Sequence, residues 1–192
     1  MSSDTKQYDI AIIGGGMVGL STLIALKPLI ETGAKIVVID PAPKPNDVDS
    51  LDSPSFDDRA TALSLASSQF LKHIGVWPFI APFAQPILDI EVSSYAQIGL
   101  TQLNHDQAGS EAFGFIVSNK HIGQALLQAC QAITNVDFIY GQAVSELNKT
   151  HAGEFPYESI LSDGQCFKSR LTLLTDGGRS ELKQQLKFKD EC

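Results

Sequence analysis

Gly14, Gly16 and Gly19 stand in the order G-x-G-x-x-G inside Tyr8-Asp-Ile-Ala-Ile-Ile-Gly-Gly-Gly-Met-Val-Gly19. A second apolar run, Lys35-Ile-Val-Val-Ile-Asp40, ends in a carboxylate 21 residues after Gly19 (40 − 19). These residue types at this spacing suit a dinucleotide. Gly14 permits a tight turn out of a strand, and Gly16 lets backbone approach a pyrophosphate. Gly19 lets a helix pack closely on a sheet. A helix opening near Met17 points its N–H groups and positive dipole end at phosphates. Asp40 is placed to accept hydrogen bonds from ribose hydroxyls. A carboxylate there disfavours a 2′-phosphate, so the nucleotide expected is of the FAD or NAD type rather than NADP. A glycine-rich turn alone is weak evidence; the preceding strand, following helix and distant acid give it context.

The elements that position these residues read as follows. Tyr8–Ile13 is a short apolar run suited to a buried parallel strand. Ile10 to Leu26 carries no charge, but its glycines, the acids Asp4 and Asp9 that flank a single Lys6 before it, and a length below the ~20 residues of a spanning helix argue against a leader or membrane span. Pro41–Phe56, with four prolines and a run of Asp and Ser, is a loop, solvated for most of its length. Arg59–Ile74 reads as a helix, with Leu63, Ala66, Phe70, Leu71 and Ile74 on one stripe and Gly75 as its stop. Pro78, Pro82 and Pro86 make the next stretch irregular. Leu88–Tyr95 alternates as a strand with one wet face, and Ile98–Leu103 is its hairpin partner. Phe113–Val117 is a further apolar run.

Lys120–Ile133 is an amphipathic helix. Val136–Tyr140 is a strand, and Ala143–Leu147 begins another. Tyr157–Leu161 and Cys166–Lys168 flank the turn Ser162-Asp163-Gly164-Gln165. Leu171–Thr175 is a last buried strand before Asp176-Gly177 and a helical stretch to about Leu186. The order gives α/β: a Rossmann-like FAD/NAD(P)-binding fold with a parallel sheet and part of a second mixed β layer.

At 192 residues and 43% hydrophobic, the chain can bury a core of one domain or slightly more. A net charge of −8 and the lack of a Lys/Arg cluster argue against nucleic acid as a partner. Cys130, Cys166 and Cys192 match no metal or redox spacing and read as reduced thiols of a cytosolic protein. His73, His105, His121 and His151 share no ligand spacing, so no metal site is expected. There is no internal repeat. Trp77, the single tryptophan, reads as a core anchor for the preceding helix.

Three ordered segments resemble the FAD-dependent aromatic hydroxylases, the group that includes p-hydroxybenzoate hydroxylase: the glycine turn, Phe56-Asp-Asp-Arg-Ala-Thr-Ala-Leu-Ser-Leu-Ala-Ser-Ser-Gln-Phe-Leu-Lys-His-Ile-Gly-Val-Trp77, and Leu173-Leu-Thr-Asp-Gly-Gly-Arg-Ser180. The middle segment is similar to the ubiquinone-biosynthesis hydroxylases of polyprenylated phenols. The resemblance implies an FAD-dependent monooxygenase, with NADPH or NADH as reductant, that hydroxylates a phenol through a flavin C4a-hydroperoxide. It implies that Arg59 lies along the flavin diphosphate, where a planar two-pronged donor suits phosphate oxygens. Read from its neighbours alone, Arg59 makes a surface salt bridge worth under about 1 kcal/mol. Asp176 and Gly177 are implied at the ribityl chain, and Asp176 could equally cap the next helix. Gln124 is implied near the flavin, or is an exposed helix polar group. No catalytic side chain is assigned, because the cofactor carries the chemistry.

The pattern also departs from the family. Thr175 stands where the family motif has Ala, Lys183 where it has Arg, and Asp40 where many flavoproteins have Glu. The family continues for about as many residues again, so residues 1–192 read as an incomplete N-terminal FAD-binding domain that includes part of the substrate region, about 78–118. The isolated chain is expected to bind FAD weakly or not at all and not to hydroxylate. The isoprenoid substrate implies a cytoplasmic protein in peripheral contact with the inner membrane or a biosynthetic complex. Two other readings remain: a non-catalytic flavin-binding or assembly protein, and an NAD-dependent dehydrogenase. The short-chain type of the latter needs Tyr-x-x-x-Lys. The residues four after Tyr8, Tyr95, Tyr140 and Tyr157 are Ile12, Gly99, Val144 and Leu161.

Overall fold

The computed structural model describes residues 5–45, 55–93, 100–150, 153–177 and 181–185. The chain opens with β1 (Lys6–Ile13), α1 (Met17–Ala25), α2 (Lys27–Glu31) and β2 (Ile36–Asp40). It continues through β3 (Ala60–Ser64), α3 (Leu65–His73), α4 (Trp77–Ile80), a 3-10 turn (Ala81–Phe83), β4 (Gln85–Ile87), β5 (Asp89–Ser93), β6 (Leu100–Asn104) and β7 (Gly114–Ser118). Then come α5 (Asn119–Gln131), β8 (Val136–Tyr140), β9 (Val144–Lys149), β10 (Tyr157–Leu161), β11 (Cys166–Leu174) and α6 (Glu181–Gln185).

The main sheet has the order β8-β2-β1-β11-β10-β9. β8, β2, β1 and β11 are parallel, and β10 and β9 return antiparallel. The period-two alternation of β1 and β2 sorts their side chains into two cores. Ile10, Ile12, Ile36 and Val38 face α1 and α5, where Leu20, Leu23, Leu126 and Phe56 meet them. Ala11, Ile13, Val37 and Ile39 face the other side, with Leu147, Leu161, Phe167 and Leu182. Burial on both faces explains why these two strands read as continuous apolar runs.

Two antiparallel sheets, β3-β7-β4 and β5-β6, form the second layer. The β5–β6 pairing is the hairpin expected from the alternating pattern; Ser94, Tyr95, Ile98 and Gly99 of that reading lie outside the described residues. The prolines of the stretch after Trp77 have defined places. Pro78 and Pro82 sit in first turns, and Pro86 sits on an edge strand, where a missing N–H is tolerated.

The helix expected over Arg59–Ile74 is corrected. Its first part is β3, paired with β7 through Ala60↔Ser118 to Ser64↔Gly114. The helix starts only at Leu65, where Ser64 Oγ accepts the Ser67 N–H at 3.1 Å. Ala-Thr-Ala-Leu-Ser alternates exposed and half-buried residues as a strand does. Leu63 therefore belongs to β3, and Phe70 is exposed. Gly75, at φ +75°, ends the helical segment as expected. The separate runs Cys166–Lys168 and Leu171–Thr175 join in the one strand β11, which ends at Leu174.

Phe56 also differs from a solvated loop residue. It is buried beneath α5, and a Cβ on Gly123 would lie 2.5 Å from its ring. Most of the remaining loop lies outside the described residues. Trp77 packs on the core edge-on to Phe115, with ring centroids 4.8 Å apart, as an anchor would.

Candidate dinucleotide site

β1 ends at Ile13, and the chain turns at Gly14, whose φ is +106°. The Gly14 N–H donates to the Ile39 carbonyl at 2.8 Å, which ties the turn to β2. A Cβ on Gly14 would meet the Thr175 carbonyl oxygen at 2.7 Å, so conformation and space both require glycine. Gly16 is the extended N-cap of α1 and brings no side chain of its own to cap it. A helix opened by glycine turns its first-turn N–H groups toward outside acceptors, an anion among them. A Cβ on Gly19 would lie 1.8 Å from the Gly14 carbonyl oxygen. Helix and turn are thus in backbone contact.

Asp40, at the end of β2, holds backbone on both sides of it. Its Oδ2 accepts the Gly15 N–H, and its Oδ1 accepts the Ala42 N–H at 2.8 Å. The carboxylate therefore bridges the glycine turn and the start of the next loop. Each oxygen retains a lone pair for a hydroxyl donor.

Arg59 precedes β3 rather than beginning a helix. Its Nε donates to Asp57 Oδ2 at 2.6 Å. Partial desolvation works to raise the Asp57 carboxyl. Hydrogen bonds from the Arg59 side chain and backbone and from Asn119 outweigh it and hold the carboxyl below the ordinary carboxylate range. Asp176 and Gly177 follow β11, with Gly177 at φ +91°. The residues between Gly177 and α6 lie outside the described set, and with them the capping geometry.

Thr175 joins the two halves of the site. Its N–H donates to the Ile13 carbonyl at 2.8 Å, and its Oγ lies 2.9 Å from the Ile13 and Gly14 carbonyl oxygens. The departure from Ala therefore places a hydroxyl between the ends of β1 and β11.

These segments border one cavity of about 680 Å³, a size suited to a cofactor. Gly14, Gly16, Asp40, Arg59, Asp176 and Gly177 all line it. Gly19 acts from behind, through the turn. Gln124 is half-buried on α5 and is not among the lining residues. Asn119, which the sequence reading missed, lines the cavity as well. Its only sequence signal is its position directly after Ser118, the N-cap of α5.

A turn whose close backbone packing requires glycine at 14 and 19, a helix N-terminus opened by a glycine, a guanidinium and a carboxylate suit the ribose and diphosphate of a dinucleotide. Among the described residues, no group of His, Cys, Asp and Glu could hold a metal ion. No helix of the described residues is long and apolar enough to cross a membrane.

No family profile matches the chain. It is 32% identical over 185 residues to ubiquinone hydroxylase UbiL of Rhodospirillum rubrum, covering 95% of this chain and 40% of the relative. It is 29% identical over 178 residues to 3-demethoxyubiquinol 3-hydroxylase of Escherichia coli, covering 92% and 43%. Among solved structures, PqsL of Pseudomonas aeruginosa, described as a probable FAD-dependent monooxygenase, superposes with a TM-score of 0.71 at 18% identity, over 97% of this chain and 47% of that one. The chain thus spans about two-fifths of the length of the curated relatives it matches. Over nearly its own whole length, it is similar to the N-terminal part of these two hydroxylases and shares its fold with PqsL.

Proposed function

We propose that this chain is the FAD-binding portion of a flavin-dependent monooxygenase that hydroxylates a polyprenylated phenol in ubiquinone biosynthesis. The observation that carries the reading is the convergence of Gly14, Asp40, Arg59 and Asp176, from four separate stretches of sequence, on one cavity. The curated relatives support the substrate class by their names.

In this reading the Gly14–Gly16 backbone and the first turn of α1 receive the diphosphate. Arg59 lies along it as a planar donor. Asp40 holds the adenosine ribose hydroxyls and repels a 2′-phosphate. Asp176 and Gly177 border the path toward the ribityl chain, and Gln124 belongs farther along α5, toward the ring. Bound flavin supplies the redox and oxygen-transfer chemistry, and the chain's own part is to bind and orient it. A nicotinamide nucleotide serves as reductant, and the isoprenoid substrate draws the enzyme to a membrane surface.

Titration calorimetry with FAD, ADP and 2′-phospho-ADP-ribose tests this. ADP should bind, FAD should bind weakly and no more tightly than ADP because the contacts described belong to their shared part, and the 2′-phosphate should bind more weakly still. Arg59→Ala should weaken ADP binding by about tenfold, the usual scale for losing a charge-assisted bond. Failure of ADP to bind, or a preference for the 2′-phosphate, overturns the reading.

A further inference from the structure

Arg59 is held from behind by a chain of side chains that ends in the protein interior. Its side chain is 76% exposed. An exposed ion pair with Asp57 is worth little by itself, and a free arginine keeps much rotamer freedom. Asp57, however, is not loose. Its Oδ1 accepts Asn119 Nδ2 at 3.1 Å and the Arg59 N–H at 3.1 Å. Asn119 is only 7% exposed, and its Oδ1 accepts the Thr61 hydroxyl at 2.5 Å. That bond orients the amide so that its NH₂ group meets Asp57.

The backbone repeats the connection. The Asn119 N–H donates to the Arg59 carbonyl at 2.8 Å, and the Lys120 N–H donates to the Asp57 carbonyl at 3.0 Å. The first turn of α5 therefore grips the Asp57–Arg59 loop through both main chain and side chain. Arg59 and Asn119 line the cavity, whereas Asp57 does not. The carboxylate is drawn to the rear of the guanidinium, at Nε. An arginine anchored by Nε presents its two terminal nitrogens as a planar pair, the geometry that matches two phosphate oxygens.

We infer that Asn119 is a positioning residue for diphosphate binding: through Asp57 it fixes the plane of the Arg59 guanidinium before the ligand arrives. The inference rests on the dinucleotide reading for its ligand, but the positioning itself exists without one. Fixing the fork in advance removes the ordering cost from the binding step.

The test uses the full chain, with Asn119→Ala, Asp57→Ala and the double variant, and ADP as the probe. Two readouts are taken: ADP affinity by calorimetry, and the Arg59 15Nε–1Hε resonance of the ligand-free protein by NMR. Asn119→Ala should shift that resonance toward the position of an unpaired arginine and speed its exchange with water. It should also lower ADP affinity by about five- to tenfold. In the Asp57→Ala background the same substitution should lower affinity less than twofold, because a residue acting through Asp57 has nothing left to act on.

An unmoved resonance, or losses that simply add in the double variant, overturns the inference. If wild-type protein binds no ADP, the dinucleotide reading and the ligand part of the inference fall together, and the resonance still decides the positioning. If Asn119→Ala does not fold, Thr61→Val replaces it. That change releases the amide without touching Asp57, and it should shift the same resonance; no shift counts against the inference.

Discussion

Replacing Gly19 with alanine would place a methyl carbon 1.8 Å from the Gly14 carbonyl oxygen, and the nearest atoms are mostly backbone. Nothing flexible can yield, so the helix must move away from the turn. Gly19→Ala should cost more than about 3 kcal/mol, the range for overpacking combined with a backbone shift, as read from urea unfolding. The need for glycine here was legible in the motif, because the close approach is built from residues five apart. Thr175 was not legible in the same way. As a letter it is a departure from Ala, and only the return of β11 beside β1 puts its hydroxyl against the Ile13 and Gly14 carbonyls. The Asp57–Asn119 bond spans 62 residues and leaves no local pattern. Gly123 was passed over in the sequence. A glycine inside a helix asks for a neighbour, and the buried Phe56 is that neighbour.

At the scale of elements, β1 and β2 follow from their continuous apolar runs because both faces of each are buried, and α1 follows from the glycine turn that opens it. The segment Ala60–Ser64 does not, because a short strand runs directly into a helix and its leucine extends the helical stripe. The two assignments predict opposite effects for Ala62, which is exposed and lies opposite Ile116 in β7. In a helix, Ala62→Val would cost about 0.5 kcal/mol through lower propensity. In β3 it adds a branched side chain opposite an isoleucine, and it should stabilise by roughly 0.2–1 kcal/mol. The urea midpoint of the variant should therefore rise.

For the whole molecule, burial imposes a pH limit on the alkaline side. Desolvation, then the nearby Cys130 and Asp40 charges, push Tyr140 from 10.0 to about 12. Desolvation likewise pushes Cys130 from 9.0 to about 12. Both groups ionise more readily in the unfolded chain than in the folded one. Their contribution is fully present below the unfolded values and is lost as pH rises from about 9 toward about 12. Urea midpoints measured from pH 8 upward should fall across that window, and Tyr140→Phe should make the decline shallower. An equal decline in the variant would assign the effect to Cys130 and Tyr8, whose hydroxyl is raised by burial and by its bond to Asp137.

The sequence by itself determined the α/β order, the glycine turn, the acid at the end of β2 and the family resemblance. Each depends on residues a few positions apart or on motifs in fixed order, and local sterics and hydrophobic period decide them. The tertiary structure alone decided what stands behind those residues. Asp40 holds the turn as well as facing the cavity, Thr175 links β1 to β11, and Asn119 reaches Arg59 through Asp57. These are hydrogen bonds between groups brought together only when the sheet closes and α5 packs on it. Chain spacing carries no record of such contacts, because any compatible polar pair at any separation could have made them.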